Sequence, residues 1–392
     1  MRASLPLSLY VHAPWCEKKC PYCDFNSHAQ KNPIPENAYV EALMADLDQE
    51  LPAVWGRRLR SIFIGGGTPS LLSPKSVESI VSGIRARIPS TPDMEITLEA
   101  NPGSSDACKF EGFRAAGVNR LSIGIQSFNV ASLRNIGRIH DDHAARHAVT
   151  AAISAGFDNL NLDLMYALPG QTRQMAADDV EQALSFEPPH LSCYQLTIEP
   201  NTVFAVRTPR LPGEDAAWEM QRQLESSLEK NGYTNYEISA FARQGRSCQH
   251  NLNYWLFGDY IGIGAGAHSK VTRDDQVLRT WKKKNPILYM QSAHSTERVG
   301  GEKRLSSDEI CFEFMMNALR LRRPVTASLF QQRTGQPFNR FGSTIAQAQT
   351  DGLLQFDGIQ ISTTEFGRRF LNELLQRFLP DPDNLISPSP FT

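Results

Sequence analysis

Cys16, Cys20 and Cys23, spaced Cys-x3-Cys-x2-Cys, are the residues of this chain best suited to do chemistry. Thiolates on so short a loop can converge on a soft metal centre, and three of them leave one coordination position for a ligand that the protein does not supply. The spacing favours iron and sulfur. A structural zinc site takes four protein ligands, so a zinc reading needs completion from Cys248 and His250. The GGGTPS turn of residues 65–70 lacks the Lys-Ser/Thr ending of a phosphate loop, but its glycines let a ligand approach backbone groups without side-chain obstruction. Glu99, Gln126 and Asp163 each stand where an apolar run ends and can bind hydroxyl or amino groups, while Arg138 carries a fork of donors for a carboxylate. Any one of these is equally well read as a tight turn, a loop hydrogen bond or a solvated charge. Their shared position argues for a site.

The elements that must position them follow a repeating pattern. Short runs rich in branched residues, at 7–12, 61–64, 95–98, 120–125, 159–164 and 190–196, alternate with amphipathic segments such as 38–51, 74–87 and 173–184. The pattern predicts successive βα units and a parallel sheet, an α/β fold of the partial (β/α)6 TIM-like barrel type. In such barrels chemistry sits on the loops after the strands, which is where the cysteines, the glycine turn and the polar residues fall. Residues 1–240 are expected to form the barrel and 241–300 a connecting segment. A second unit is expected over 301–379. There Ser306 and Glu309 make a capping-box pattern, Asp357-Gly358 a hairpin turn, and a last helix runs from Thr363 to Leu379, together a winged-helix-like α+β module. The tail 380–392, rich in Pro, Asp and Ser, reads as disordered.

Composition narrows the function classes. Forty Lys and Arg against 42 Asp and Glu leave a formal charge of −2, which gives no global case for nucleic acid or an anionic surface. From residue 301 onward ten basic residues balance ten acidic ones, so the winged-helix-like module lacks the electrostatic footprint of a DNA binder. A lid or protein-contact role is expected for it. Seven cysteines, four of them scattered, argue against a disulfide framework and for a reducing, cytoplasmic setting. No stretch approaches the roughly 20 apolar residues of a membrane span, and the first apolar run reads as a strand rather than a signal peptide.

The cysteine triplet followed one βα unit later by the glycine turn resembles the radical SAM superfamily. That resemblance implies three thiolates on a [4Fe–4S] cluster whose remaining iron is chelated by S-adenosyl-L-methionine (SAM). The order SLYVHAPWC, GGGTPS, Glu99-Ala-Asn-Pro, Gly-Ile-Gln126-Ser-Phe, Gly-Arg138-Ile-His and Leu-Asp163-Leu-Met-Tyr is similar, over nearly the whole chain, to the oxygen-independent coproporphyrinogen III oxidases and the related HemW-type haem chaperones. By that resemblance Tyr10, Tyr22, Gly66, Gly67, Thr68, Glu99, Gln126, Arg138 and Asp163 would contact SAM, with Thr197 and the loop 262–268 as weaker candidates.

Two departures turn the expectation from oxidase to chaperone. The oxidases carry a fourth cysteine where this chain has Phe25, and only 15 residues precede Cys16. His250, Asn251, Tyr254 and Trp255 match the HNxxYW signature of the chaperone branch. A histidine can supply an axial iron ligand and aromatic neighbours can face a porphyrin, although such a turn more commonly caps an element and packs a core. The resemblance therefore implies a protein that binds haem and delivers it to haem-requiring proteins such as respiratory enzymes, with a homodimer and peripheral membrane association as family-level expectations. The alternatives are oxidative decarboxylation of coproporphyrinogen III and a zinc-dependent winged-helix regulator.

Overall fold

The computed structural model describes residues 5–103 and 108–380. The six expected strands form and pair in parallel: β1 (Leu7–Ala13), β2 (Leu59–Gly66), β3 (Ser90–Ala100), β4 (Arg120–Gln126), β5 (Leu160–Tyr166) and β6 (His190–Gln195). Their outward faces are apolar because helices cover them. Helix α1 (Glu36–Glu50) buries Tyr39, Ala42, Leu43, Asp46 and Leu47, one stripe at helical spacing. Helix α2 (Pro74–Arg87) starts where Ser73 accepts the Ser76 N–H and a proline occupies the first turn. Asp141 and Thr172 cap α3 (Asp142–Ser154) and α4 (Arg173–Leu184) in the same way. The result is the expected α/β partial barrel with a C-terminal α+β module.

Residues 241–300 are more than a connection. After helix α5 (Glu214–Lys230), β7 (Thr234–Asn235) and β8 (Ala240–Ala242) border β6, and helix α6 (Gln249–Trp255) crosses beneath the barrel. The chain then returns to β1: β9 (Asp259–Ile263) is a seventh parallel strand on its far side, followed antiparallel by β10 (His268–Arg273), β11 (Gln276–Lys282) and β12 (Val299–Arg304). The sheet thus has 12 strands in the order β12-β11-β10-β9-β1-β2-β3-β4-β5-β6-β8-β7. The sequence pattern missed this edge because β9 runs straight into Gly264 and Gly266, which read as loop, and because β10 to β12 carry many charged residues.

A second hydrophobic core takes in Phe257 and Val277 together with the C-terminal module. That module contains α7 (Ser307–Ala318), opened by the Ser306/Glu309 capping box, and a three-stranded sheet of β13 (Val325–Thr326), β14 (Leu354–Phe356) and β15 (Gln360–Thr363). The expected hairpin at Asp357-Gly358 is present. The last helix is two pieces, Glu365–Arg369 and Leu371–Gln376, broken at Phe370, rather than one running to Leu379. The expected disordered tail lies, but for Pro380, outside the described residues. The module grips the barrel through a forked Arg279 pair to Glu313, at 2.9 and 3.1 Å from Nε, and through Arg320 lying 4.3 Å over the Trp255 ring.

One buried charge cluster fastens the extra sheet edge to α1. Asp46 accepts from Lys282 Nζ at 2.7 Å, Arg298 Nε at 2.7 Å and Tyr289 Oη at 2.7 Å, all with side chains at or near full burial. Removing Asp46 leaves Lys282 and Arg298, two buried cations in low dielectric, to share Glu50 as their one remaining carboxylate partner among the described residues. Asp46→Ala is therefore expected to lower stability by about 3–5 kcal/mol, measured as a fall in urea midpoint with an unchanged slope.

Candidate functional site

The mouth of the barrel is built from the strand ends outward. Beyond β1 the chain makes a two-residue parallel pair, Trp15–Cys16 with His28–Ala29, and the cysteine loop hangs between them, turned by the Cys23 N–H donating to Cys20 O at 3.2 Å. The glycine turn clamps the base of this loop. Gly67 N donates to Ala13 O at 2.8 Å and Thr68 N to Trp15 O at 2.7 Å. Gly66 has φ +121°, and a Cβ on Gly67 would collide with the Trp15 carbonyl and stand 3.0 Å from Cys16 Sγ. The glycines are thus required by close approach as well as by turn geometry.

Cys16 is buried and Cys20 and Cys23 are partly so. Burial pushes the Cys16 thiol up; hydroxyls of Thr68 and Ser27 pull it down, and the neighbouring Cys23 and Cys20 push it up again. A metal that draws off the proton relieves this opposition. Among the described residues no three His, Cys, Asp or Glu side chains are arranged around a single ion. Three thiolates are one ligand short of a structural zinc site and match a [4Fe–4S] group whose remaining iron takes a further ligand. The proposed zinc completion is also misplaced: Cys248 Sγ donates to Glu95 Oε1 at 3.5 Å inside the barrel, and His250 faces Ser61.

The polar strand-end residues gather around the loop in two groups. Asn101 Nδ2 donates to Thr68 Oγ1 at 2.8 Å, and Arg138 Nη2 donates to Asn101 Oδ1 at 2.8 Å and to Gly124 O at 2.6 Å. Arg138 Nη1 lies 3.7 Å from Cys20 Sγ, while its Nε is buried without a partner. A buried guanidinium with a spare donor beside the cluster loop suits an anionic ligand group. Thr68, Arg138 and Cys20 border a cleft of about 320 Å³; Tyr10, Gly66 and Glu99 border a cavity of about 480 Å³ on the other side of the loop. Gln126 and Asp163 sit in the barrel interior, Gln126 accepting from Tyr194 Oη at 2.7 Å and Asp163 from Asn161 Nδ2 at 2.8 Å. A register shift in β4 re-aims Gln126, which takes φ +68°, a strained conformation for a non-glycine residue. Tyr22 packs beside Phe204, 6.4 Å between ring centres, and exposed Thr197 donates to Glu199.

The HNxxYW residues behave differently from the rest. Glu95 accepts from the Gln249 and His250 N–H groups, each at 3.1 Å, and so anchors α6 beneath the barrel. His250 is 1% exposed, with Nδ1 2.9 Å from Ser61 Oγ and Nε2 3.1 Å from Tyr254 Oη. Tyr254 reaches the larger cavity, Trp255 packs on the second core under Arg320, and Asn251 is only partly buried. The motif closes the barrel floor and ties it to the C-terminal module. Asn101, Tyr194 and Tyr260, which sequence reasoning did not single out, belong to the mouth or its lining; only Asn101 left a signal, as a polar residue just past the end of β3.

The chain aligns with the Heme chaperone HemW of Escherichia coli (strain K12) at 46% identity, covering 96% of this chain and 99% of that protein. It belongs to the HemW family. The Heme chaperone HemW of Haemophilus influenzae (strain ATCC 51907 / DSM 11121 / KW20 / Rd) is likewise 46% identical, over 96% of this chain and 98% of its own. HemW family membership agrees with two domain matches, the radical SAM superfamily over residues 10–183 and the HemN C-terminal domain over 305–370. The fold is also that of the E. coli coproporphyrinogen III oxidase HemN, with a TM-score of 0.81 and 24% identity over 96% of this chain and 90% of that one. Membership of the radical SAM superfamily implies a [4Fe–4S] cluster and SAM, and the donor set at the mouth fits both.

Two outcomes test this geometry. Gly67→Ala should leave a folded protein that retains far less iron and sulfide per chain after anaerobic reconstitution, because the added methyl group displaces the loop that carries Cys16. Burial, reinforced by Asp163, raises the Glu99 carboxyl to about 7, against 4.5 ordinarily. A carboxyl raised on folding is protonated in the native state at a pH where the unfolded chain has lost its proton, so stability falls as pH rises from about 4.5 to 7. Glu99→Gln should therefore match the unloaded parent at pH 4 and exceed it by about 3 kcal/mol at pH 8, measured by denaturant titration.

Proposed function

We propose that this protein is a haem chaperone: it takes up haem and passes it to haem-dependent proteins, respiratory enzymes among them. The observation that carries the reading is the near end-to-end 46% identity to proteins named heme chaperone HemW. Phe25, where an oxidase would carry a further cysteine, supports it. Cys16, Cys20 and Cys23 would hold the cluster, which when bound with SAM supplies a one-electron redox centre. Gly66, Gly67 and Thr68 give SAM a surface free of obstructing side chains, Arg138 offers its unpartnered Nε, and Tyr10, Tyr22, Glu99, Gln126 and Asp163 complete the candidate set.

The chain's own residues suit a carrier. Phe25 is 62% exposed beside the larger cavity, and Ile139, Val203 and Val206 are exposed around the same cluster end. An apolar rim of this kind favours contact with a recipient or with a membrane surface. Among the described residues no helix is long and apolar enough to cross a membrane. A cytoplasmic homodimer that touches the membrane peripherally, with residues 301–379 as a contact module, completes the proposal.

Anaerobic reconstitution followed by haem titration tests it. A saturable Soret change near one haem per chain, then transfer of that haem to an apo-haem protein, is expected. No Soret change in either the cluster-loaded or the cluster-free protein would end the reading, and formation of vinyl groups from coproporphyrinogen III under reducing conditions with SAM would replace it with the oxidase.

A further inference from the structure

A haem iron needs a side-chain nitrogen with a free lone pair, reachable from a space that can take the macrocycle. Three imidazoles lie at or near the larger cavity, and their hydrogen bonds separate them. His12 is buried, with Nδ1 3.0 Å from Tyr10 Oη and Nε2 2.9 Å from Asn26 O. His250 is sealed beneath the cavity with both nitrogens engaged. His268 borders the cavity, is exposed, and makes no hydrogen bond through either nitrogen among the described residues.

One face of His268 has an aromatic neighbour. The histidine opens β10 directly opposite Trp281 of β11, and the two rings lie 6.2 Å apart at 27°, nearly parallel. Trp281 in turn lies flat on the backbone of Gly300 and Gly301; a Cβ at Gly301 would run into the indole. The glycine pair thus makes the bed for the indole, and the indole supports the imidazole.

The surroundings offer a flat ligand aromatic wall and one cation at the rim. Phe25, Tyr254 and Tyr260 supply aromatic wall, Asp24 and Glu99 add carboxyls to the lining, and the Lys284 ammonium at the rim has no ion pair or hydrogen bond among the described residues, unlike that of Lys283, which faces Glu297 at 3.9 Å. Tyr10, Gly66 and Glu99 of the SAM set line the same cavity, about 480 Å³ in volume, so haem and SAM would share it, with the haem on the side of Phe25, His268 and Lys284. Partial desolvation at the cavity edge, with Arg279 and Lys284 nearby, lowers the His268 pKa.

From these contacts we infer that His268, and not the HNxxYW histidine, is the axial ligand of the haem this protein carries, with Lys284 facing a haem carboxylate. The inference rests on the haem-chaperone reading. A ligating histidine is normally steadied by a hydrogen bond from its second nitrogen, and His268 has only the indole face behind it. Such a ligand binds iron weakly enough to give it up, as a carrier requires. It also gives Phe25 a use: the residue that replaces a cysteine forms part of the wall facing the porphyrin.

The test uses the full chain, reconstituted anaerobically and titrated with haem, followed by absorbance difference spectra and electron paramagnetic resonance of the ferric haem. The parent and His250→Ala should both show a histidine-ligated spectrum. His268→Ala should lose that signature and bind haem roughly tenfold or more weakly, with iron and sulfide content unchanged. His268→Cys should exchange it for a thiolate-type spectrum, which a purely structural role could not produce. Lys284→Glu should weaken binding without altering the ligand signature. An unchanged spectrum in His268→Ala and His268→Cys, or loss of the signature in His250→Ala with its cluster intact, overturns the assignment. A parent protein that binds no haem overturns the haem-chaperone reading itself, and the assignment with it.

Discussion

The mouth of this barrel depends on one close approach, that of the Gly67 backbone to the Trp15 carbonyl and the Cys16 sulfur. Two hydrogen bonds, from Gly67 and Thr68 to the chain leaving β1, hold the glycine turn against the base of the cysteine loop. No side chain larger than hydrogen fits between them. The cysteines are therefore presented by backbone pairing between the ends of two adjacent parallel strands. The first sulfur of the loop is placed by the sheet.

A second set of bonds ties the opposite wall of the mouth to the same strand. The Tyr39 hydroxyl of α1 donates to His12 O at 2.7 Å and accepts from Ala265 N at 3.0 Å, joining the end of β1 to the loop that leads into His268. Asp46, about two helical turns further along α1, anchors the same loop through Tyr289 and holds the outer strands through Lys282 and Arg298. One helix thus sets the distance between the cluster loop and His268. The two walls enclose the larger cavity, with the barrel floor closed by α6 on Glu95.

Legibility in the sequence followed the kind of interaction. The six strands and the main helices could be read because burial on both faces writes continuous apolar runs, and the cysteines and glycine turn because their chemistry is local. The seventh parallel strand and the outer antiparallel strands were not legible. Gly262, Gly264 and Gly266 there serve close backbone packing against His268, His12 and Asn26, and single-sequence patterns read them as loop. The packing of His250 was not legible, because its partners Ser61 and Glu95 lie far away in sequence. The free nitrogens of His268 could not be seen in the sequence at all, since a lack of partners exists only in three dimensions.

The central claim is that one chain carries a cysteine-bound cluster and a haem at separate positions across the barrel mouth. Anomalous scattering at the iron edge from crystals of the reconstituted, haem-loaded protein tests it most directly. The expected result is two resolved iron centres, one within the loop of Cys16, Cys20 and Cys23 and the other in the cavity beside His268. A single centre at the cysteines with no haem iron in the cavity, or a haem iron seated on His250, would contradict it.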